Sequence, residues 1–119
     1  MCTYYNKEET IKLIGKKVRV EIDRRKGSVH PTHPDVIYGV NYGFVPGTMT
    51  GDNEPLDAYV LDDVIGECYE GVVIAVIHRK DDVENKLVVS NRAGKYAAED
   101  IRRFVNFVEK YFDSEIIIK

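Results

Sequence analysis

Three carboxylates fall within six residues in the segment Asp52-Asn53-Glu54-Pro55-Leu56-Asp57. Crowded carboxylates repel one another, so the arrangement lowers stability unless the side chains share a cation. Hard cations such as Mg²⁺ take oxygen ligands and are often held by a few carboxylates together with phosphate oxygens of a substrate. An acidic surface turn would have the same composition. Because the segment precedes the strand-like run Ala58 to Leu61, we treat it as a candidate metal site at the mouth of a β structure.

A second group of acidic side chains, closed by a lysine, lies in the polar segment from Arg79 to Lys86. It directly follows the continuous apolar run from Val72 to Ile77, which is typical of a buried strand. A solvated charged hairpin is the alternative interpretation. Together with the first acidic segment, this one is a candidate for the far wall of the same pocket.

Two motifs in this chain resemble those of the soluble (family I) inorganic pyrophosphatases, of which it is identified as a short, divergent member. That family has a Tyr-x-x-Asn-Tyr-Gly-Tyr-type strand followed by an Asp-x-Asp-Pro-x-Asp signature. The residues that match the first motif are Tyr38, Asn41, Tyr42 and Gly43. Those that match the second are Asp52, Glu54, Pro55, Leu56 and Asp57, with Glu54 in place of the usual aspartate. Glu84-Asn85-Lys86 fits the later Asp-x-Lys element of the family, again with glutamate for aspartate.

The resemblance implies hydrolysis of inorganic pyrophosphate to two phosphates, with Mg²⁺ as the cofactor and Mn²⁺ as the alternative ion. Divalent metals suit this reaction because they lower the pKa of a bound water and neutralise phosphate oxygens. The ligands that the resemblance implies are Asp52, Asp57, Glu84, and either Asp81 or Asp82. The segment is shorter than its family counterpart, so Asp81 and Asp82 both stay candidates for one position.

Catalytic and substrate-binding roles follow from the same resemblance. Glu54 would orient or deprotonate the attacking water, and Lys86 would meet a phosphate oxygen as a point charge. Tyr42 would donate a phenolic hydrogen bond to the phosphate or the water. The residues expected to bind substrate are Arg19, Arg24, Tyr42, Lys86 and Tyr111, with Arg25 as an alternative to Arg24 and a solvated basic turn as the alternative for both arginines.

Departures from the family pattern favour a second hypothesis. Phe112 stands where the family helix carries a lysine, and His30 or His33 lies where an arginine is usual. The alternative function is therefore a catalytically weak or inactive pyrophosphatase-like domain that binds metal, phosphate or a partner protein. A third reading, an OB-like nucleic-acid binder, needs a basic groove with stacking aromatic residues.

Bulk properties exclude several classes of protein. A length of 119 residues predicts a single domain, 1–119, and the net charge of −3 argues against nucleic acid or an anionic membrane as a partner. No apolar run approaches the ~20 residues that span a bilayer. The polar N-terminal segment and two cysteines without metal or redox spacing predict a cytoplasmic protein. The pattern leaves a homo-oligomer open.

Hydrophobic periodicity predicts the elements that position these residues. Alternation over Lys17 to Asp23 indicates a half-buried strand, and further strands are predicted at Ala58–Leu61, Val72–Ile77 and Lys86–Val89. A helix is predicted from Ala97 to about Phe112, with one apolar face. The residues predicted on that face are Ala97, Ile101, Phe104, Val105, Val108, Tyr111 and Phe112. Short strands followed by one amphipathic helix predict a mainly β fold with a small barrel closed by the C-terminal helix. The resemblance implies a five-stranded, OB-like barrel.

Overall fold

The structure is a computed structural model that describes residues 3–50, 53–64, 66–80, 84–92 and 96–118. Three of the predicted metal ligands, Asp52, Asp81 and Asp82, lie outside these ranges. The other predicted site residues are all described.

Within these ranges the chain forms eight strands and two helices. In order they are β1 (Thr3–Tyr4), α1 (Lys7–Ile11), β2 (Lys17–Arg24), β3 (Asn41–Val45), β4 (Thr48–Met49), β5 (Leu56–Val60), β6 (Cys68–Arg79), β7 (Asn85–Ser90), α2 (Ala98–Glu109) and β8 (Ser114–Ile117).

Five strands close into a barrel, as predicted. Their order is β2-β3-β5-β7-β6, and β6 pairs back onto β2. The long strand β6 makes this closure possible, because its first part, Cys68–Val72, pairs with β2 while its last part, Val76–Arg79, pairs with β8. Strands β5 and β7 run parallel, and the other pairs in the barrel are antiparallel.

The barrel wall has two buried faces, because alternate residues of a strand point to opposite sides. One face fills the barrel interior with small and branched side chains: Val20, Val45, Leu56, Ala58, Val60, Val73, Val76, Leu87 and Val89. The other face packs against α2 and is richer in aromatic residues: Tyr38, Val40, Tyr42, Tyr59, Ala75, Ile77 and Val88, under Ile101 and Val105. The polar side chains of the candidate site lie on this helix-covered face.

Helix α2 is shorter than predicted, and part of its predicted buried face was wrong. The buried residues form a line at four-residue spacing, Ile101, Val105 and Glu109. Phe104 is 42% exposed and Tyr111 is 60% exposed. At about 100° per residue, Phe104 lies roughly a quarter-turn from that line, and Tyr111 follows the end of the helix.

Gly43 fixes the distance between β2 and β3. A Cβ atom at this position would lie 1.9 Å from the backbone oxygen of Glu21. Only glycine therefore allows this close approach, which brings the end of β2 against the strand that carries Tyr42. Beyond Arg24 the chain forms a loop that is held together by an antiparallel bridge between Val29 and Ile37.

Candidate active site

Lys86 lies at the centre of the candidate site, and its ammonium group contacts three side chains. Its Nζ donates hydrogen bonds to the Tyr42 hydroxyl at 2.6 Å, to Asp57 Oδ2 at 2.9 Å and to Glu84 Oε1 at 3.2 Å. Only 3% of the residue is exposed. A buried ammonium group is costly unless its donors are satisfied, and here each of its three N–H donors can meet an oxygen.

The sheet register explains how residues so distant in sequence meet. Asp57 in β5 lies directly beside Lys86 in β7, and Tyr42 in β3 lies beside Tyr59 in β5. Residues two apart on one strand share a face, so Asp57 and Tyr59 both point toward α2. Tyr42 reaches Lys86 from the third strand on the same face.

Mutual interactions set the protonation states of these groups. Burial alone would lower the pKa of Lys86, but the negative charges of Asp57 and Glu84 outweigh it and raise that pKa above its ordinary value. Burial, helped by the charge of Asp57, raises the pKa of the Tyr42 phenol well above its ordinary value. Near neutral pH the site therefore holds a charged ammonium group beside a protonated phenol.

Arg79 and Glu109 form a second buried ion pair next to the first. Arg79 Nε lies 3.1 Å from Glu109 Oε1, and Nη2 lies 2.7 Å from Oε2. The third nitrogen, Nη1, donates to Glu84 Oε2 at 3.1 Å. The Tyr59 hydroxyl donates to Glu109 Oε2 at 2.7 Å, and the Phe112 ring lies over the guanidinium carbon at 3.7 Å. Glu84 thus connects the two buried cations.

Sequence reasoning missed this second pair. Arg79 was interpreted as the start of a polar loop, whereas it is the last residue of β6 and is only 5% exposed. A signal for Glu109 was present, because a glutamate four residues after Val105 falls on the line of buried helix positions. A charged residue on a buried helix line predicts a partner of opposite charge inside the fold.

A cavity of about 450 Å³ opens beside these groups, between the barrel wall and the end of α2. Its walls carry three cationic side chains, two imidazoles and five aromatic rings. These residues are Arg24, Arg79, Lys86, His30, His33, Tyr38, Tyr42, Tyr59, Tyr111 and Phe112. Asp35 also lines the cavity, and carboxylates already contact Lys86 and Arg79. The guanidinium and ammonium groups of the wall can still offer N–H donors to an anionic ligand, although their charges are partly balanced.

The predicted substrate-binding residues are only partly brought together. Arg24 lines the cavity, where its Nη1 donates to the Tyr38 hydroxyl at 2.7 Å, and Tyr111 lies at the same cavity. Arg25, the alternative to Arg24, instead donates to the backbone oxygens of Val64 and Gly66. Arg19 is not among the cavity residues, and its Nη2 lies 3.2 Å from the Cys68 sulfur.

Glu54 lies outside the cavity wall and is exposed. Its backbone oxygen accepts a hydrogen bond from the Thr50 amide at 2.8 Å, which closes the turn before β5. Asn53 in this turn has a φ of 63°, a left-handed conformation that asparagine tolerates better than most residues. The turn therefore places Glu54 at the exposed surface before β5.

Asp23 is a further carboxylate that the sequence analysis did not single out. It lies at an irregularity of the β2–β3 pairing between Ile22 and Arg24. Partial desolvation, together with the charge of Asp57, raises the pKa of Asp23 although Arg24 opposes this shift. Asp23 and Glu21 line a second groove together with Arg25 and Glu67.

Residues 9–115 match the family model described as inorganic pyrophosphatase. The chain belongs to the inorganic pyrophosphatase family. Soluble inorganic pyrophosphatase 5 of Arabidopsis thaliana is 28% identical over 127 residues, which cover 87% of this chain and 58% of that protein. An inorganic pyrophosphatase of Helicobacter pylori is 32% identical over 60% of this chain and 46% of its own length. The chain thus spans about half the length of these curated relatives.

Solved structures of the family share the fold. The inorganic pyrophosphatase of Ehrlichia chaffeensis superposes with a TM-score of 0.69 and 17% identity, over 99% of this chain and 91% of its own. That of Thermus thermophilus gives a TM-score of 0.61 and 18% identity, over 86% and 80%. Among the residues that the structure describes, neither helix has the length and apolar character needed to cross a bilayer.

The side chains at the centre of this pyrophosphatase-family site are chemically suited to a hard divalent cation. Asp57 and Glu84 supply carboxylate oxygens of the type that Mg²⁺ prefers, and in this structure the Lys86 ammonium group lies between them, 2.9 Å from Asp57 and 3.2 Å from Glu84. Within the described ranges no three acidic, histidine or cysteine side chains are grouped closely enough to hold an ion by themselves. The donor set fits an ion held by few protein carboxylates together with substrate oxygens.

Proposed function

We propose that this chain hydrolyses inorganic pyrophosphate to two phosphates with the help of a divalent cation, Mg²⁺. The observation that carries the proposal is the contact of one buried ammonium group, on Lys86, with two carboxylates and a phenol at the wall of a cavity that two arginines also line. Membership of the inorganic pyrophosphatase family supports the choice of substrate.

A divalent cation bound at the carboxylates supplies a water of lowered pKa and neutralises phosphate oxygens. Asp57 and Glu84 are the described side chains that would hold it, and we propose Asp52 and either Asp81 or Asp82 as further ligands. Mn²⁺ has the same preference for oxygen ligands and is the alternative ion.

Lys86 and Tyr42 act on the substrate from the floor of the cavity. The Lys86 ammonium carries a permanent positive charge near neutral pH because its carboxylate neighbours raise its pKa. That charge is fixed by three contacts, so it offsets the negative charge of a phosphate oxygen without first having to reorganise. Tyr42 keeps its phenolic proton and can orient either the phosphate or the attacking water.

Arg24 and Tyr111 bind the substrate from the cavity walls in this proposal. The Arg24 guanidinium is oriented by the Tyr38 hydroxyl and offers several N–H donors to phosphate oxygens. Tyr111 offers a phenol at the open side of the cavity. Arg19 is placed elsewhere, so we assign it no contact with pyrophosphate bound in this cavity.

Phosphate release from pyrophosphate, measured with and without Mg²⁺, tests the proposal. We expect Mg²⁺-dependent release that is lowered at least tenfold in Lys86→Met. Lys26→Met, which removes an exposed lysine away from the cavity, is the matched control and should retain the wild-type rate. Absence of release from the wild-type protein at any Mg²⁺ concentration would overturn the proposal.

A second candidate function is a pyrophosphatase-like domain that binds metal and phosphate, or a partner protein, without turnover. Phe112 favours it, because this cavity residue presents an apolar ring where the resemblance implies a lysine. Calorimetric binding of pyrophosphate without phosphate release would support this second function over hydrolysis.

A further inference from the structure

We infer that Arg79 is a positioning residue of the active site: it holds the Glu84 carboxylate in place for the divalent cation, and Glu109 holds Arg79. The inference rests on the proposed function, because it requires Glu84 to be a metal ligand. It assigns a role to the buried pair that links the end of α2 to the end of β6.

The hydrogen-bond geometry gives Arg79 one fixed orientation. Two of its nitrogens, Nε and Nη2, each meet a different oxygen of Glu109, at 3.1 and 2.7 Å. This two-point contact between planar groups prevents the guanidinium from rotating. The remaining nitrogen, Nη1, then points at Glu84 Oε2, 3.1 Å away. Glu109 is itself fixed, because the Tyr59 hydroxyl donates to it and because it is buried on α2.

Glu84 needs such a support to act as a ligand. A glutamate has one more rotatable bond than an aspartate, so ordering its carboxylate costs more conformational entropy. In this structure each carboxylate oxygen of Glu84 contacts a different cation: Oε2 contacts Arg79 and Oε1 contacts Lys86. A carboxylate has about four lone-pair sites, so it can bind more than one partner at each oxygen.

Phe112 also contacts Arg79 and is compatible with its buried positive charge. Its ring covers the guanidinium of Arg79 at 3.7 Å, which is close enough for a favourable cation–π contact. A lysine at position 112 would instead bring a second positive charge against Arg79. The aromatic ring of Phe112 thus complements the guanidinium group of Arg79. The buried positive charge at this corner of the cavity is carried by Arg79, at the end of β6.

Calorimetric titration of the full chain with MgCl₂ tests the inference without relying on activity. The variant is the double substitution Arg79→Met with Glu109→Gln, which removes both charges together and so avoids leaving one buried and unpaired. We expect Mg²⁺ affinity about 10- to 100-fold weaker than in the wild type, as is typical when a support of a metal ligand is removed. Arg103→Met, which removes an exposed arginine of α2, should bind Mg²⁺ as the wild type does.

Arg79→Lys separates positioning from mere charge. A lysine keeps the positive charge beside Glu109 but lacks the planar fork that reaches Glu109 and Glu84 together. We expect this variant to fold and still to bind Mg²⁺ at least tenfold more weakly. If the double variant fails to fold, Arg79→Lys provides the same test by itself.

Wild-type Mg²⁺ affinity in either folded variant would overturn the inference, as would a wild-type protein that binds no Mg²⁺. A wild-type protein that binds Mg²⁺ but hydrolyses no pyrophosphate would overturn the proposed function alone. In that case a weakened Mg²⁺ affinity in the variants would still establish Arg79 as the support of Glu84.

Discussion

The hydroxyl of Tyr59 lies 2.7 Å from a carboxylate oxygen of Glu109, although 50 residues separate them in the chain. Tyr59 is fully buried in the barrel wall, and Glu109 is the last residue of α2. The same carboxylate is bound by Arg79, so helix and barrel share one buried polar contact as well as an apolar interface. This contact fixes the end of the helix where the cavity opens.

Glu109→Gln should lower the free energy of unfolding near neutral pH. It should also make that free energy depend less on pH in the acidic range. Burial would raise the pKa of Glu109, but hydrogen bonds from Arg79 and Tyr59 outweigh it and lower that pKa. The unfolded chain therefore binds more protons in acid, so the stabilisation is complete above the ordinary glutamate pKa of about 4.3 and is lost as pH falls through the lower folded value.

Urea unfolding at pH 7 and between pH 3 and 5 measures both effects. We expect a loss of about 3 kcal/mol at pH 7, since one partner of a buried pair loses its charge. Below pH 5 the difference from the wild type should shrink. Glu99→Gln, on the exposed side of α2, is the control, and an unaltered acid limb in Glu109→Gln would contradict the prediction.

Mg²⁺ should raise the free energy of unfolding. An ion that binds only the folded state adds about 2.7 kcal/mol at 100 times its Kd. Repulsion between the carboxylates is weaker than the sequence predicts, because Asp57 already contacts Lys86 and Glu84 already contacts Arg79. We therefore expect a folded protein without Mg²⁺ and a higher melting temperature with it. Asp57→Asn should reduce that rise, whereas Asp63→Asn, an exposed neighbour, should leave it unchanged.

Glu54→Gln tests the role that the resemblance implies for an exposed residue. If Glu54 orients or deprotonates the attacking water, its loss should lower kcat by about 10²–10⁴-fold while Mg²⁺ binding persists. Steady-state phosphate release and calorimetry on one preparation provide both readouts. Glu67→Gln is a matched exposed control. Full activity in Glu54→Gln would show that this carboxylate is neither the base nor the group that orients the water.

Gly43→Ala should destabilise the barrel strongly. The added carbon would lie 1.9 Å from a backbone oxygen and 2.7 Å from a backbone carbon of Glu21, so β2 and β3 must separate. Overpacking that moves backbone typically costs about 1–3 kcal/mol, and we expect the upper end of that range here because the contact is with backbone atoms. Gly66→Ala is the control, because its added carbon would have a nearest contact at 4.0 Å. Equal urea midpoints for the two variants would refute the close approach.

Local patterns predicted the strands β2, β5, β6 and β7 and a small barrel, because alternation and apolar runs reflect burial within a few residues. They could not predict that Asp57 lies beside Lys86, since that contact depends on the register of two parallel strands. The resemblance placed both residues in one site without giving their contact. The pair of Arg79 and Glu109 was missed for the same reason. The two residues lie 30 positions apart in the chain, and each alone resembles a solvated charge at the end of an element.

Phe104 shows the opposite error. Its apolar side chain fits a helical face, yet it is 42% exposed, whereas the charged Glu109 occupies the buried line. Hydrophobicity ranks burial correctly only on average, because a buried ion pair can take the place of an apolar side chain.

The parallel pairing of β5 with β7 also constrains the order in which this protein can assemble. Parallel strands cannot be joined by a tight turn, so the chain must first pass through β6 before Lys86 can meet Asp57. Such non-local contacts carry a loop-closure cost and form slowly. We therefore expect the carboxylates of the candidate site to acquire their internal counter-ion late in folding, when the barrel closes.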